Sequence, residues 1–101
     1  MSQPIGVTNQ DLHAECMRRL KTDRRQFPRS GIETLIKEAR PPLWLRDSRG
    51  YTIDEQMRYD LRTYKLWDAM AMWVGDGGLV EYWPGVAKVV KAMLRVVPYE
   101  Q

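Results

Sequence analysis

The sequence contains one cysteine, one histidine and one phenylalanine among its 101 residues. A single cysteine cannot form an internal disulfide, and nothing in the composition indicates an oxidising compartment. No apolar run approaches the roughly eighteen residues of a membrane span, and the polar start MSQPIGVTNQ lacks the charge and apolar core of a signal peptide. We therefore expect a cytoplasmic protein that makes no membrane contact.

Residues with the chemistry of an active site are also scarce. His13 and Cys16 lie three positions apart, but a zinc site needs further ligands and the sequence has no second pair. A cysteine nucleophile needs an aligned base, and the helical pattern turns His13 towards the core. The glycine-rich segment 75–78 lacks the Lys-Ser/Thr ending of a phosphate loop. We expect no enzymatic activity, no cofactor and no metal site.

Apolar residues at helical spacing are the main structural signal of this chain. They predict a mainly α protein: a flexible lead-in at residues 1–7 and a single compact helical domain at 8–101. Capping-box patterns at Thr8, Ser30 and Thr52 indicate where three helices begin. Proline and glycine indicate where helices end. The predicted domain has about four helices, at residues 9–25, 31–40, 53–74 and 84–97.

Two connectors between these helices allow alternative structures. Segment 43–53 is either an irregular connector with Trp44 in the core or a small β-hairpin turning at 47–50, and we favour the connector. Segment 73–83 is either extended or a second short hairpin. The predicted fold therefore contains at most one or two short β-hairpins.

Positive charge is concentrated in one short stretch of the sequence. The first fifty residues carry ten Lys and Arg against six Asp and Glu, whereas the remainder carries six against seven. Between residues 18 and 29 a single acid, Asp23, accompanies six cations: Arg18, Arg19, Lys21, Arg24, Arg25 and Arg29. Cations at a helix C-terminus interact favourably with the helix dipole, which explains two or three of them. The remainder suggest an anionic partner.

Nucleic acid is our first choice for that partner, because Lys and Arg bind phosphates without sequence preference. A helix-turn-helix across residues 27–30 is a weak interpretation, since Glu33 and Glu38 on the second helix would oppose a phosphate-lined groove. Two further sets of cations on the later helices could extend the contact: Arg58, Arg62 and Lys65, and Lys88, Lys91 and Arg95.

Four tryptophans are many for a chain of this length. Trp67 and Trp73 lie on an apolar helix and are expected in the core. Trp44 and Trp83 lie in connectors, where each is more often a core residue than an interface residue, and we keep both as candidate interface anchors. Tyr59, Arg62 and Tyr64 could stack on single-stranded bases, although the pattern alone is weak.

These observations predict a small, non-enzymatic protein that binds nucleic acid through the basic cluster. Its size suits a regulatory or packaging accessory of a phage or mobile element. The alternative is a protein-interaction module, an inhibitor or adaptor that docks on an acidic surface of a larger complex. A homo-oligomer is plausible in either case, because three short helices would leave the apolar end of segment 53–74 poorly covered.

Overall fold

A computed structural model describes residues 8–97 of the chain. The described part confirms a mainly α fold, with five α-helices rather than four and one turn of 3₁₀ helix at Leu79–Glu81. Residues 1–7, predicted as the lead-in, and residues 98–101 lie outside the described part. The helices are α1 (Asn9–Leu20), α2 (Arg29–Ala39), α3 (Ile53–Thr63), α4 (Leu66–Val74) and α5 (Val86–Val96).

Helix α1 begins where the sequence predicts and ends earlier. The Asp11 backbone N–H donates to the Thr8 hydroxyl at 3.1 Å, and the Asp11 carboxylate accepts from the Thr8 N–H at 3.2 Å, which confirms the capping box. The helix ends at Leu20, not at residue 25. Beyond the helix the Asp23 N–H donates back to the Arg19 carbonyl oxygen at 2.7 Å, and the Asp23 side chain is buried.

Helix α2 begins without the capping box predicted at Ser30. Its N-cap is Pro28, whose carbonyl oxygen accepts from the Gly31 N–H at 2.9 Å, while Ser30 is exposed inside the first turn. Glu33, the expected partner of Ser30, instead binds the Arg58 guanidinium across to α3. The capping prediction is therefore wrong at this position, because a tertiary ion pair takes the carboxylate.

The helix predicted over residues 53–74 is two helices, α3 and α4, separated by two extended residues. Contacts from the α1–α2 connector stabilise this break. The Leu66 N–H donates to the Arg25 carbonyl oxygen at 3.0 Å, and the Gln26 amide donates to the Tyr64 carbonyl oxygen at 3.0 Å. The prediction of one long helix is wrong because a segment distant in sequence holds the chain out of helical geometry.

The break lets α4 fold back so that buried polar groups on α3 and α4 meet. The Trp73 indole N–H donates to one Asp60 oxygen at 2.7 Å, and the Gln56 amide donates to the other at 2.8 Å. In a continuous helix Trp73 and Asp60 would be separated by about 20 Å along the axis. This contact fixes the corner between α3 and α4.

Helix α4 forms the centre of the core. It packs against α1, α3, α5 and the 3₁₀ turn, and all of its residues except Asp68 and Met72 are buried. A single chain therefore covers most of the apolar end of segment 53–74. Poor coverage of that end was the reason for considering a homo-oligomer. None of the described helices combines the length and the apolar character needed to cross a membrane.

The two connectors contain no strand within residues 8–97. In the first, Arg46 and Thr52 form one isolated antiparallel bridge, and the Asp47 N–H donates to the Tyr51 carbonyl oxygen at 2.8 Å. The turn closes at Gly50, whose φ of 90° favours glycine. The second connector contains the 3₁₀ turn. The hairpins considered for segments 43–53 and 73–83 are therefore absent as such.

The Asp60 contact predicts a specific loss of stability. Asp60→Ala leaves the Trp73 N–H and the Gln56 amide without their buried acceptor, so we expect the free energy of unfolding to fall by about 1–3 kcal/mol. Asp60→Asn retains an acceptor oxygen and should cost less. Asp76→Ala, at an exposed position, should change it by less than about 0.5 kcal/mol. Urea unfolding measures all three, and a neutral Asp60→Ala would contradict this account of the corner.

Candidate functional site

The six cations of residues 18–29 fall into two groups. Arg18, Arg19 and Arg25 make contacts within the molecule: Arg18 pairs with Glu15, and Arg25 lies 2.8 Å from an Asp23 oxygen. The side chains of the other three are exposed and make no hydrogen bond or ion pair with any residue that the structure describes. They are Lys21, Arg24 and Arg29. The sequence shows one cluster, and only half of it remains available to a partner.

Arg19 is part of the protein interior and is only 6 % exposed. Its guanidinium lies 4.7 Å from the centre of the Trp67 ring and donates to the carbonyl oxygens of Leu94 (2.8 Å) and Val97 (2.6 Å). A cation there also interacts favourably with the C-terminal end of the α5 dipole. Arg19 therefore joins α1, α4 and α5, and it does not belong to a binding surface.

Asp23 explains why an acid stands among so many cations. Its carboxylate is buried, accepts from the Trp67 indole N–H at 2.7 Å and from the Arg25 Nε at 2.8 Å. Burial alone would raise the pKa of Asp23, but the hydrogen bonds from Arg25 and Trp67 hold this pKa below its usual value. The carboxylate is thus ionised at neutral pH and anchors the α1–α2 connector on α4.

The anchored connector displays its remaining cations beside the α3–α4 junction. The backbone bond between Arg25 and Leu66 holds the connector next to Lys65. Helices α2 and α3 run antiparallel, because Glu33 contacts Arg58 and residues near the end of α2 share a groove with Asp54. The first turn of α2 therefore lies beside the last turn of α3. We define the basic face as Lys21, Arg24, Arg29, Arg62 and Lys65.

Arg58 does not join the basic face, although the sequence grouped it with Arg62 and Lys65. It is held by Glu33, at 3.0 and 3.1 Å, and by Asp54 at 2.7 Å. Hydrogen bonds from Arg58 lower the pKa of Glu33, and desolvation opposes this shift. The charges of Arg58 and Arg62 lower the pKa further. The charge of Arg58 is neutralised by its own fold, whereas Arg62 has no hydrogen bond or ion pair with the described residues.

The cations of α5 lie elsewhere. The side chains of Lys88, Lys91 and Arg95 make no hydrogen bond or ion pair within residues 8–97, but Lys88 borders a cleft at the end of α2 with Arg40 and Trp83. Trp83, a candidate interface anchor, is half-buried, and its ring packs over Gly85. The structure therefore places Lys88 apart from the basic face, whereas Arg95 follows Leu94, whose carbonyl oxygen Arg19 binds.

Acidic side chains without ion pairs among the described residues gather in a different place. A groove of about 1010 Å³ lies between α1, α4 and the glycine-rich turn after α4. Asp68, Asp76 and Glu81 border it together with Met17 and Met72, and within residues 8–97 no Lys or Arg does so. The surface is therefore polarised, with an acidic groove apart from the basic face.

Trp44 is not in the core, contrary to the expectation for an irregular connector. It is 80 % exposed, and its neighbour Leu43 is 73 % exposed. Two consecutive prolines, at positions 41 and 42, prevent α2 from continuing towards Trp44. The isolated bridge of Arg46 lies two residues after Trp44. Of the two candidate anchors, Trp44 is thus the one that the fold leaves on the surface.

Two tyrosines of the α2–α3 connector and of α3 are also exposed, and one of them, Tyr51, was not singled out from the sequence. Tyr51 is 49 % exposed and Tyr59 is 52 % exposed, and both border a cleft of about 190 Å³ with Arg62. The spacing of Tyr59 and Arg62, three residues apart on one helix, was a signal for half of this arrangement. Tyr51 comes from the connector, so no local spacing could have identified it.

His13 and Cys16, which the sequence analysis weighed for catalysis and metal binding, differ in exposure: His13 is half-buried and borders the groove between α1 and α4. Cys16 is fully buried, and this burial raises the pKa of its thiol to about 12, a rise that the nearby Arg19 opposes. The His13 ring packs against Gly75. Within the described part of the chain, no group of three His, Cys, Asp or Glu side chains could hold a metal ion.

Comparisons with known proteins found no matching family model, no similar curated protein and no similar solved structure.

The division of the basic cluster predicts opposite effects for neighbouring arginines. Arg19→Ala removes the charged hydrogen bonds to α5 and the contact with Trp67, and should lower the free energy of unfolding by about 2–4 kcal/mol. Arg24→Ala, at an exposed position in the adjoining connector, should change it by less than about 0.5 kcal/mol. Urea unfolding compares the two variants. Equal effects would show that Arg19 is not a structural residue.

Asp23 predicts a pH dependence with a definite sign. Its pKa in the folded protein is lower than the ordinary value of 3.8, so its contribution to stability is present above about pH 4 and is lost as the pH falls through the folded pKa. Asp23→Asn should therefore be less stable than the wild type at pH 7, and the difference should shrink below about pH 4. Urea unfolding at a series of pH values measures this, and a constant difference would contradict the assignment.

Proposed function

We propose that this chain is a small binding protein, without catalytic activity of its own, that contacts the phosphates of nucleic acid through its basic face. The observation that carries the proposal is the concentration there of five cations that lack hydrogen bonds and ion pairs among the described residues. A regulatory or packaging role, as expected from the size of the chain, suits such a protein.

The separation of charge adds to this proposal. A net charge of +3 is modest, but Asp68, Asp76 and Glu81 border a groove that contains none of the basic face. The local positive potential at the basic face is therefore higher than the net charge indicates. Phosphate binding by such a face needs no base-specific geometry, because it displaces condensed counterions.

A protein-interaction module is the second candidate, and the exposure of Trp44 and Leu43 favours it. Tryptophan is enriched among the residues that dominate binding energy at protein interfaces. An acidic surface on a larger complex could then pair with Arg62 and its neighbours while Trp44 fills a pocket. Nucleic acid remains the first choice because the cations of the basic face outnumber the exposed apolar side chains that could anchor a protein partner.

Binding of a fluorescent duplex between 50 and 200 mM salt tests the proposal. Five phosphate contacts predict that log Kd rises with log salt with a slope of about 4. The triple variant Lys21→Glu, Arg24→Glu and Arg29→Glu should weaken binding and reduce the slope by about 3. Circular dichroism checks that the variant remains folded.

The chain offers a control with the same change in net charge. Lys88→Glu, Lys91→Glu and Arg95→Glu alter α5, outside the residues that define the basic face, and should reduce the slope by less than the first triple variant. Equal losses would mean that net charge, rather than the basic face, governs binding. Failure of the wild type to bind both this duplex and a single strand of the same length at 50 mM salt would refute the nucleic-acid proposal.

A further inference from the structure

Three large aromatic side chains are exposed on the surface, and phosphate contacts with the basic face would not involve them. Trp44, Tyr51 and Tyr59 are each about half exposed or more, and they come from the α2–α3 connector and from α3. Folding gains little from leaving large aromatic rings in water. We name these three residues the aromatic track.

Contacts of the described residues connect this track with the basic face. Tyr51 and Tyr59 border one cleft with Arg62, which belongs to the basic face, and Glu55 lies in the same cleft. The Arg46 side chain, two residues after Trp44, reaches to 3.9 Å from Glu55. Tyr51 and Tyr59 thus lie along α3 towards Arg62, and Trp44 is exposed in the same connector as Tyr51.

The charges within the track do not oppose an anionic ligand. Glu55 accepts from the Thr52 N–H at 3.0 Å and from the Thr52 hydroxyl at 2.7 Å, and it also faces Arg46. Arg46 therefore offsets part of the charge of Glu55. The Arg49 guanidinium lies 5.2 Å from the centre of the Tyr51 ring, a geometry in which arginine and aromatic rings attract.

From this arrangement we propose that the ligand is single-stranded nucleic acid, with phosphates on the basic face and bases stacked on Trp44, Tyr51 and Tyr59. The inference rests on the proposed function and names its substrate class. Duplex bases are already stacked on one another, whereas the bases of a single strand have free faces for aromatic rings. Every base has such a face, so we expect little sequence preference.

The dimensions are compatible with a short single-stranded site. Helix α3 spans about 16 Å, from the end that meets the connector to the end that meets the basic face. At about 3.4 Å per phosphate in a stacked strand, this length corresponds to about five nucleotides. Single-strand sites in other small folds cover about 4–16 nucleotides.

Anisotropy measurements with oligonucleotides of about 15 nucleotides test the inference at one salt concentration. The probes are oligo(dT), oligo(rU) and a duplex of the same length. We expect either single strand to bind at least about 10-fold more tightly than the duplex. Trp44→Ala and Tyr59→Ala should each weaken single-strand binding about 10-fold and leave duplex binding nearly unchanged. Trp44→Phe and Tyr59→Phe retain an aromatic ring and should bind nearly as the wild type does.

Tyr82→Ala is the matched control, because Tyr82 is exposed at the end of the 3₁₀ turn and outside the track. The affinity of this variant for single strands should equal that of the wild type. Duplex binding without preference for single strands, and without effect of Trp44→Ala, would overturn the inference and leave the proposed function standing. Absence of binding to all three probes would overturn both. Single-strand binding that Trp44→Ala and Tyr59→Ala do not change would assign the track to another ligand, such as a protein, and would also overturn the inference.

Discussion

The hydrogen bond between the buried Trp67 indole and the Asp23 carboxylate is the contact on which the arrangement of the surface depends. It fixes the α1–α2 connector against α4, and the same indole ring lies against Arg19, which in turn binds the last carbonyl oxygens of α5. The α1–α2 connector, α1, α4 and α5 are therefore linked through the Trp67 side chain and its neighbours. Since the bonds of Asp23 are made only after α1 has ended, they also determine where that helix stops and which neighbouring cations face outward.

This network explains how a cluster of like charges can exist in a stable small domain. Arg19 and Arg25 are next to aromatic, carbonyl or carboxylate groups and contribute to folding. Lys21 and Arg24 lie between them in sequence and are exposed. A charged group that is removed from water needs a partner nearby, whereas an exposed one does not. Neighbouring residues of one type therefore have different functions, and the division follows burial rather than sequence position.

Apolar periodicity was sufficient to predict a mainly α fold, and the capping residues Thr8 and Thr52 located two helix starts, because both signals are local. The break after α3 could not be predicted in this way, since it depends on Arg25 and Gln26, which bind backbone groups far along the chain. The basic cluster was visible as composition. Its division was not, because burial of Arg19 depends on the position of α5. The solitary Asp23 among six cations was the one local sign that part of the cluster is internal.

The four tryptophans indicate which aromatic residues folding requires. Asp23 and Asp60 are the buried acids of the described chain, and each accepts a hydrogen bond from a buried indole, Trp67 and Trp73 respectively. Trp83 packs partly against the core. Trp44 is different: burying its exposed surface would contribute about 3–4 kcal/mol at about 25 cal/mol per Å², yet the connector holds it in water. Folding of the free chain therefore requires Trp67 and Trp73 and does not explain the position of Trp44.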